Sequence, residues 1–137
     1  MILRFLPLFL LLCLFACGAP ADSQSAAPVT TATETPPPVY QDLSPAEFAQ
    51  RIGDENTVLL DVRTPAEIAA GKIDGAVEMD LRGSDFAERL RALDPTKTYL
   101  VYCAVGGRSA KACTMLNDAG FERVYNLRGG YAAWKEE

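Results

Sequence analysis

The residues best equipped for chemistry form one short loop, Cys103-Ala104-Val105-Gly106-Gly107-Arg108-Ser109, lying between the apolar stretch Tyr99-Leu100-Val101-Tyr102 and a helical pattern. A free thiol titrates near ~8.5 and is mostly protonated at neutral pH, whereas the thiolate is the nucleophile. Gly106 and Gly107 can take left-handed dihedrals, so consecutive backbone amides can turn inward as a nest around an anion, here the sulfur. Inward amides, a helix N-terminus and the nearby Arg108 each favour the charged form. The chain contains no histidine. Papain-like Cys-His pairs and serine triads are thereby excluded, and Cys103 must act without an imidazole base.

Such a loop needs a scaffold, and the rest of the chain supplies the pattern of one. In open parallel sheets, sites lie beyond the carboxyl ends of strands, where loops and helix N-termini meet. The spacing predicts strands over 57–62, 76–79, 98–102 and 124–127, with helices between them over 85–93 and 110–119 and a terminal helix holding Trp134. Ser44-Pro45-Ala46-Glu47 and Thr64-Pro65-Ala66-Glu67 both read as helix starts, each with a capping hydroxyl, a proline of preset φ and a returning carboxylate. Gly71 supplies a left-handed stop for the second. The expected architecture is α/β: a doubly wound parallel sheet of about four or five strands with helices on both faces. Phe121, Tyr131 and Trp134 read as core or edge packing.

Three domains of composition divide the 137 residues. Residues 1–16 carry a lone charge, Arg4, before an apolar run too short to span a bilayer, and Leu14-Phe15-Ala16-Cys17 has the layout of a secretory cleavage site with cysteine next. That arrangement resembles the bacterial lipobox, which implies a lipid on Cys17, export, and anchoring to a membrane facing the periplasm or cell exterior. An uncleaved anchor and a plain secretory signal are the alternatives. Residues 17–40 are rich in Ala, Pro, Ser and Thr and read as a tether, with too few large apolar residues to offset the entropy of ordering. Residues 41–137 form the domain. The whole chain is net −5, and losing Arg4 with the leader makes it −6, which argues against nucleic acid as a partner.

The loop motif Cys103-x-x-Gly106-x-Arg108-Ser109 resembles the active loop of single-domain rhodanese-like sulfurtransferases. So do Leu59-Leu60-Asp61-Val62-Arg63, Glu67 and Gly71-Lys72-Ile73-Asp74-Gly75-Ala76, and the closing Leu127-Arg128-Gly129-Gly130-Tyr131-Ala132-Ala133-Trp134. Lys72 departs from the pattern, in which histidine usually follows that glycine. The resemblance implies a five-stranded α/β domain whose cysteine takes sulfane sulfur, for instance from thiosulfate, as a persulfide and passes it to cyanide or a thiol. Cys103 is then the nucleophile, the amides of Ala104 to Arg108 stabilise thiolate and persulfide, and Arg108 complements the charge of the loop or of an anionic donor. No metal or organic cofactor is implied. The expected partners are a small sulfur anion, a thiol or cyanide acceptor, a membrane reached through the lipid, and a protein sulfur acceptor.

Other assignments stay open on the residues alone. Asp61 and Arg63 either face the same crevice or serve locally, Asp61 capping the turn before Thr64 and Arg63 lying at the surface; the resemblance implies that they support the loop surroundings. Arg128 lines the mouth or is solvated. Cys113 falls in the apolar stripe of its helix and reads as core, with a resolving thiol as the alternative; a wholly helical connection would place it about 15 Å along the axis from Cys103. Two rival functions remain. A cysteine phosphatase or arsenate reductase spaces its cysteine and arginine by five residues around a tetrahedral oxyanion, whereas four intervene here, which better suits a single sulfur atom. A sulfur carrier or partner-docking module would need the same thiol but show little free turnover.

Overall fold

The computed structural model describes residues 40–137. The leader, Cys17 and the tether up to residue 39 lie outside the described residues.

The chain runs β1 (Gln41–Leu43), α1 (Pro45–Ala49), β2 (Thr57–Asp61), α2 (Pro65–Ala69), β3 (Val77–Glu78), α3 (Phe86–Arg91), β4 (Thr98–Tyr102), α4 (Gly107–Asp118), β5 (Val124–Leu127) and α5 (Gly130–Trp134). All strand pairs are parallel, in the order β1-β5-β4-β2-β3. The central strands alternate their side chains between two buried faces, as parallel strands covered by crossover helices must. Leu60, Val62, Tyr99 and Val101 pack with Phe86 and Leu90 of α3 and Ala112, Cys113 and Leu116 of α4. Leu59, Leu100 and Tyr102 face the opposite layer, which contains Phe48 of α1 and has Trp134 of α5 against it. Trp134 meets Phe48 edge to face at 6.4 Å, and Phe121 meets Tyr99 at 5.2 Å.

Both capping boxes form. The Ser44 hydroxyl accepts the Glu47 amide at 3.3 Å while Glu47 Oε2 accepts the Ser44 amide at 2.9 Å. Thr64 and Glu67 repeat this at 3.4 and 3.1 Å.

Two elements differ from the sequence reading. Strand β1 was not expected, because two of its three residues, Gln41 and Asp42, are polar and exposed and too few for a period. Helix α4 starts at Gly107 rather than 110, since Gly106 alone takes the left-handed conformation, at φ +101°, and Gly107 already opens the helix.

The topology defines the address of the loop. From β2 the chain moves outward to β3, and from β4 it moves the other way to β5, so the segments after β2 and β4 diverge and leave a crevice between their carboxyl ends. Arg63 follows β2 and Cys103 follows β4.

Candidate active site

Cys103 caps the central strand, and its side chain continues the Tyr99, Val101 face into the apolar layer, where it is fully buried. A thiol so placed should resist ionisation. The loop reverses that outcome: the Gly106 amide donates to Cys103 Sγ at 3.1 Å, and Ser109 Oγ lies 3.4 Å from it. Burial, the largest single influence, raises the thiol's pKa, but hydrogen bonds from the Ser109 hydroxyl and from the Ser109, Val105 and Gly106 amides together outweigh it and hold Cys103 below the ordinary thiol value. Ser109 Oγ also reaches the Gly106 carbonyl at 3.0 Å. Its single proton serves one acceptor at a time, so the serine can turn to the sulfur when the sulfur carries charge.

The amides that reach the sulfur are those of Val105, Gly106 and Ser109 in place of the expected run from Ala104 to Arg108, and the cradle is shaped from behind by α5. The Tyr131 amide donates to the Cys103 carbonyl at 2.7 Å, and the Ala132 amide to the Ala104 carbonyl at 3.0 Å. A trans peptide points its N–H opposite its C=O. Tying the Ala104 carbonyl to Ala132 therefore turns the Val105 amide toward the sulfur. This contact requires glycine at 130: at φ +62°, a Cβ there would stand 2.6 Å from Cys103 O, Ala104 C and Val105 N.

Arg108 does not face the thiolate as a free charge. Its two terminal nitrogens bind Glu67 Oε1 and Oε2 at 2.6 and 2.8 Å. The Arg108 guanidinium, with Thr64, in turn holds the Glu67 carboxyl far below the usual carboxylate range. Glu67 thus closes the capping box of α2 and grips the loop arginine 41 residues away. In the sequence it shows only as a cap and as one letter of a family signature; the contact has no local trace.

Asp61 and Arg63 combine the readings left open. Asp61 Oδ1 accepts the Arg63 amide at 3.0 Å, fastening the turn, while Arg63 Nη2 bonds Asp61 Oδ2 at 2.6 Å and the Gly71 carbonyl at 2.8 Å. Arg63 is buried, not at the surface. Its guanidinium stacks 4.3 Å above the Tyr131 ring. Arg128 is exposed and reaches toward the Asp42 carbonyl of the edge strand β1, not the mouth. Lys72, at the departure from the family pattern, pairs with Glu78 at the surface.

Beside the loop lies a recess of about 310 Å³, walled by Ala104 and Val105 of the loop, Arg63 and Glu67 from the α2 side, and Tyr131 and Lys135 at α5. That Tyr131 and Lys135 border it has no signal in the local pattern of residues. Val105, at the loop tip, is 71% exposed. Among the described residues no group of three or more His, Cys, Asp or Glu side chains could hold a metal ion. Cys113 is a free, fully buried thiol in the same layer as Cys103. Burial pushes its pKa far up.

An α/β sheet of this order, presenting a buried but acidified cysteine from an amide-lined loop at its switch point, is a domain built to handle a reactive sulfur. The chain belongs to the rhodanese family: the family model described as rhodanese-like domain matches residues 44–137. A sulfurtransferase of Allochromatium vinosum is 37% identical over 97 residues, covering 70% of this chain and 89% of that protein. The thiosulfate sulfurtransferase GlpE of Pseudomonas fluorescens is 35% identical over 91 residues, 66% of this chain and 82% of the relative. A tRNA uridine(34) hydroxylase of Cytophaga hutchinsonii is 40% identical over 91 residues, but these make up 29% of that longer protein. The solved structure of a rhodanese-related protein from Thermoplasma volcanium superposes with a TM-score of 0.62 at 32% identity, over 71% of this chain and 92% of that one.

Proposed function

We propose that this domain is a sulfurtransferase working through a persulfide on Cys103. The observation that carries the reading is the aim of the loop: backbone amides converge on a sulfur that its apolar surroundings would otherwise keep neutral. In the first step the Cys103 thiolate attacks the sulfane sulfur of a donor such as thiosulfate. The new Sγ–S bond forms as the donor S–S bond breaks, and its electron pair leaves with sulfite. In the second, a thiolate or cyanide takes the outer sulfur and the bond pair returns to Cys103. The same amides serve thiolate and persulfide, so no group need be exchanged between the steps. Arg108 positions the loop through Glu67, and Asp61 with Arg63 braces the segment facing it. The named activities of the relatives from Allochromatium vinosum and Pseudomonas fluorescens support this reading.

Because Cys103 has no exposed surface, a donor reaches the sulfur only when the loop around it moves. Mass spectrometry after exposure to thiosulfate should show a gain of about 32 Da, one sulfur atom, on Cys103. Its absence from the wild type, or its persistence in Cys103→Ser, would sink the proposal. Relatives in which the matched segment is a small part of a longer protein favour a second reading, a carrier that gives its sulfur to a protein partner. Loading without release to cyanide or small thiols would select it. The lipid anchor rests on Leu14-Phe15-Ala16-Cys17; a fatty-acid label incorporated by the wild type and not by Cys17→Ser tests it.

A further inference from the structure

We propose that the recess beside the loop is the acceptor subsite, taking a small organic thiol that carries a carboxylate, with Lys135 as the residue that selects for the charge. This rests on the sulfur-transfer reading and adds the chemical class of the acceptor.

The charges around the recess cancel, with one exception. Arg63 is spent on Asp61 and the Gly71 carbonyl, and Glu67 is spent on Arg108. Lys135 is exposed, sits on the rim with its ammonium 5.4 Å from the Tyr131 ring centre, and forms no ion pair among the described residues. The remaining wall is apolar: Ala104, Val105, Ala70 and Ala132. Inorganic thiosulfate, small and polar throughout, gains nothing from alanine methyl groups and is served by the amides. A carbon chain does gain from them, and a volume of about 310 Å³ is at the small end of ligand sites. The wall shares Ala104 and Val105 with the loop that holds the sulfur, so the movement of the loop that uncovers Cys103 opens it toward a thiol lying in the recess, whose carboxylate meets Lys135. The acceptor thiolate attacks the outer persulfide sulfur, forming a new S–S bond, while the Sγ–S bond breaks and its pair returns to Cys103.

The size-matched thiols 3-mercaptopropionate, 2-mercaptoethanol and cysteamine provide the test, with cyanide as a probe too small to need the recess. For each, the rate of sulfur release from loaded protein is divided by the wild-type rate, which cancels intrinsic thiol reactivity. Lys135→Gln should slow release to 3-mercaptopropionate about two- to fivefold, the range of an exposed charge pair, leave 2-mercaptoethanol and cyanide unchanged, and not slow cysteamine. Lys135→Arg should restore the wild-type order. Equal ratios for the three thiols in Lys135→Gln overturn the proposal. A second arm needs no sulfur transfer: in Cys103→Ser protein, S-methyl-3-mercaptopropionate should shift the amide resonances of Val105, Ala132 and Lys135, and less so with Lys135→Gln. Absence of those shifts overturns the subsite even where loading succeeds, and their presence alongside failed loading condemns the sulfur-transfer reading alone.

Discussion

Cys103 and Cys113 are ten residues apart, equally free of solvent and members of one apolar layer, yet burial drives one thiol far up while the other is held below its ordinary value. Exposure does not separate them. Cys103 ends a strand, where the chain has unpaired amides to offer, and a left-handed Gly106 turns one of them onto the sulfur at 3.1 Å. Cys113 sits inside α4, where the backbone amides are committed to the helix. Reactivity here follows from the donors that reach the sulfur: the Ser109 hydroxyl and the turned loop amides outweigh at Cys103 the penalty that the apolar layer places on charge at both thiols.

If so, the sharpest way to erase the contrast is to disturb the cradle without touching the thiol. Gly130→Ala drives a methyl group into the loop backbone at three points. It should cost about 2–4 kcal/mol in chemical denaturation and slow sulfur loading at least about tenfold, with the Cys103 alkylation pKa moving up. A variant with unchanged alkylation would detach α5 from the cradle.

Glu67→Gln is milder. It keeps a capping side chain for α2 but loses the charged grip on Arg108. Loading should fall about two- to tenfold. The stability loss should be about 0.5–1 kcal/mol near pH 7, since the pair is partly exposed. Glu67 has a folded-state pKa lowered by Arg108, so its contribution is complete above the ordinary carboxylate value, declines as pH falls below it, and is gone below the lower folded one. The gap between variant and wild type should therefore narrow progressively in acid, starting near the ordinary carboxylate value.

The pH dependence of alkylation compares the two cysteines directly. Modification of Cys103 should reach half its maximal rate at a lower pH than in the unfolded chain, while Cys113 stays unreacted until the protein unfolds. Smallest in consequence, Cys113→Ala should cost about 1 kcal/mol of packing and leave loading unchanged. A loss of loading there would give Cys113 a role in turnover.

Much of the scaffold was legible because its signals are local. β4 and β5 fall within the bounds their apolar runs predict, and each Ser/Thr-Pro-Ala-Glu start closes its box. The loop was readable as an anion cradle for the same reason, since its glycines and thiol are neighbours. What escaped depends on residues far apart in sequence. The role of Glu67 is completed by Arg108, and the recess exists because α5 returns to the back of the loop. Arg63 could not be placed by type alone: a buried arginine is tolerated only with partners, and these are Asp61 and two carbonyls of the α2 segment. Gly106 and Gly107 were equivalent as letters, and the start of α4 distinguishes them.

The two bonds from Tyr131 and Ala132 to the carbonyls of Cys103 and Ala104 have a consequence for how the domain could be retuned. The acidity of the sulfur is written in the Ser109 hydroxyl and in main-chain orientation guarded from the rear, whereas the side chains at 104 and 105 face outward and away from it. Catalytic power and clientele are thus encoded in different atoms of the same few residues. Exchanging the valine at the tip for a charged or bulky side chain should change which molecules gain entry while the sulfur keeps its temperament.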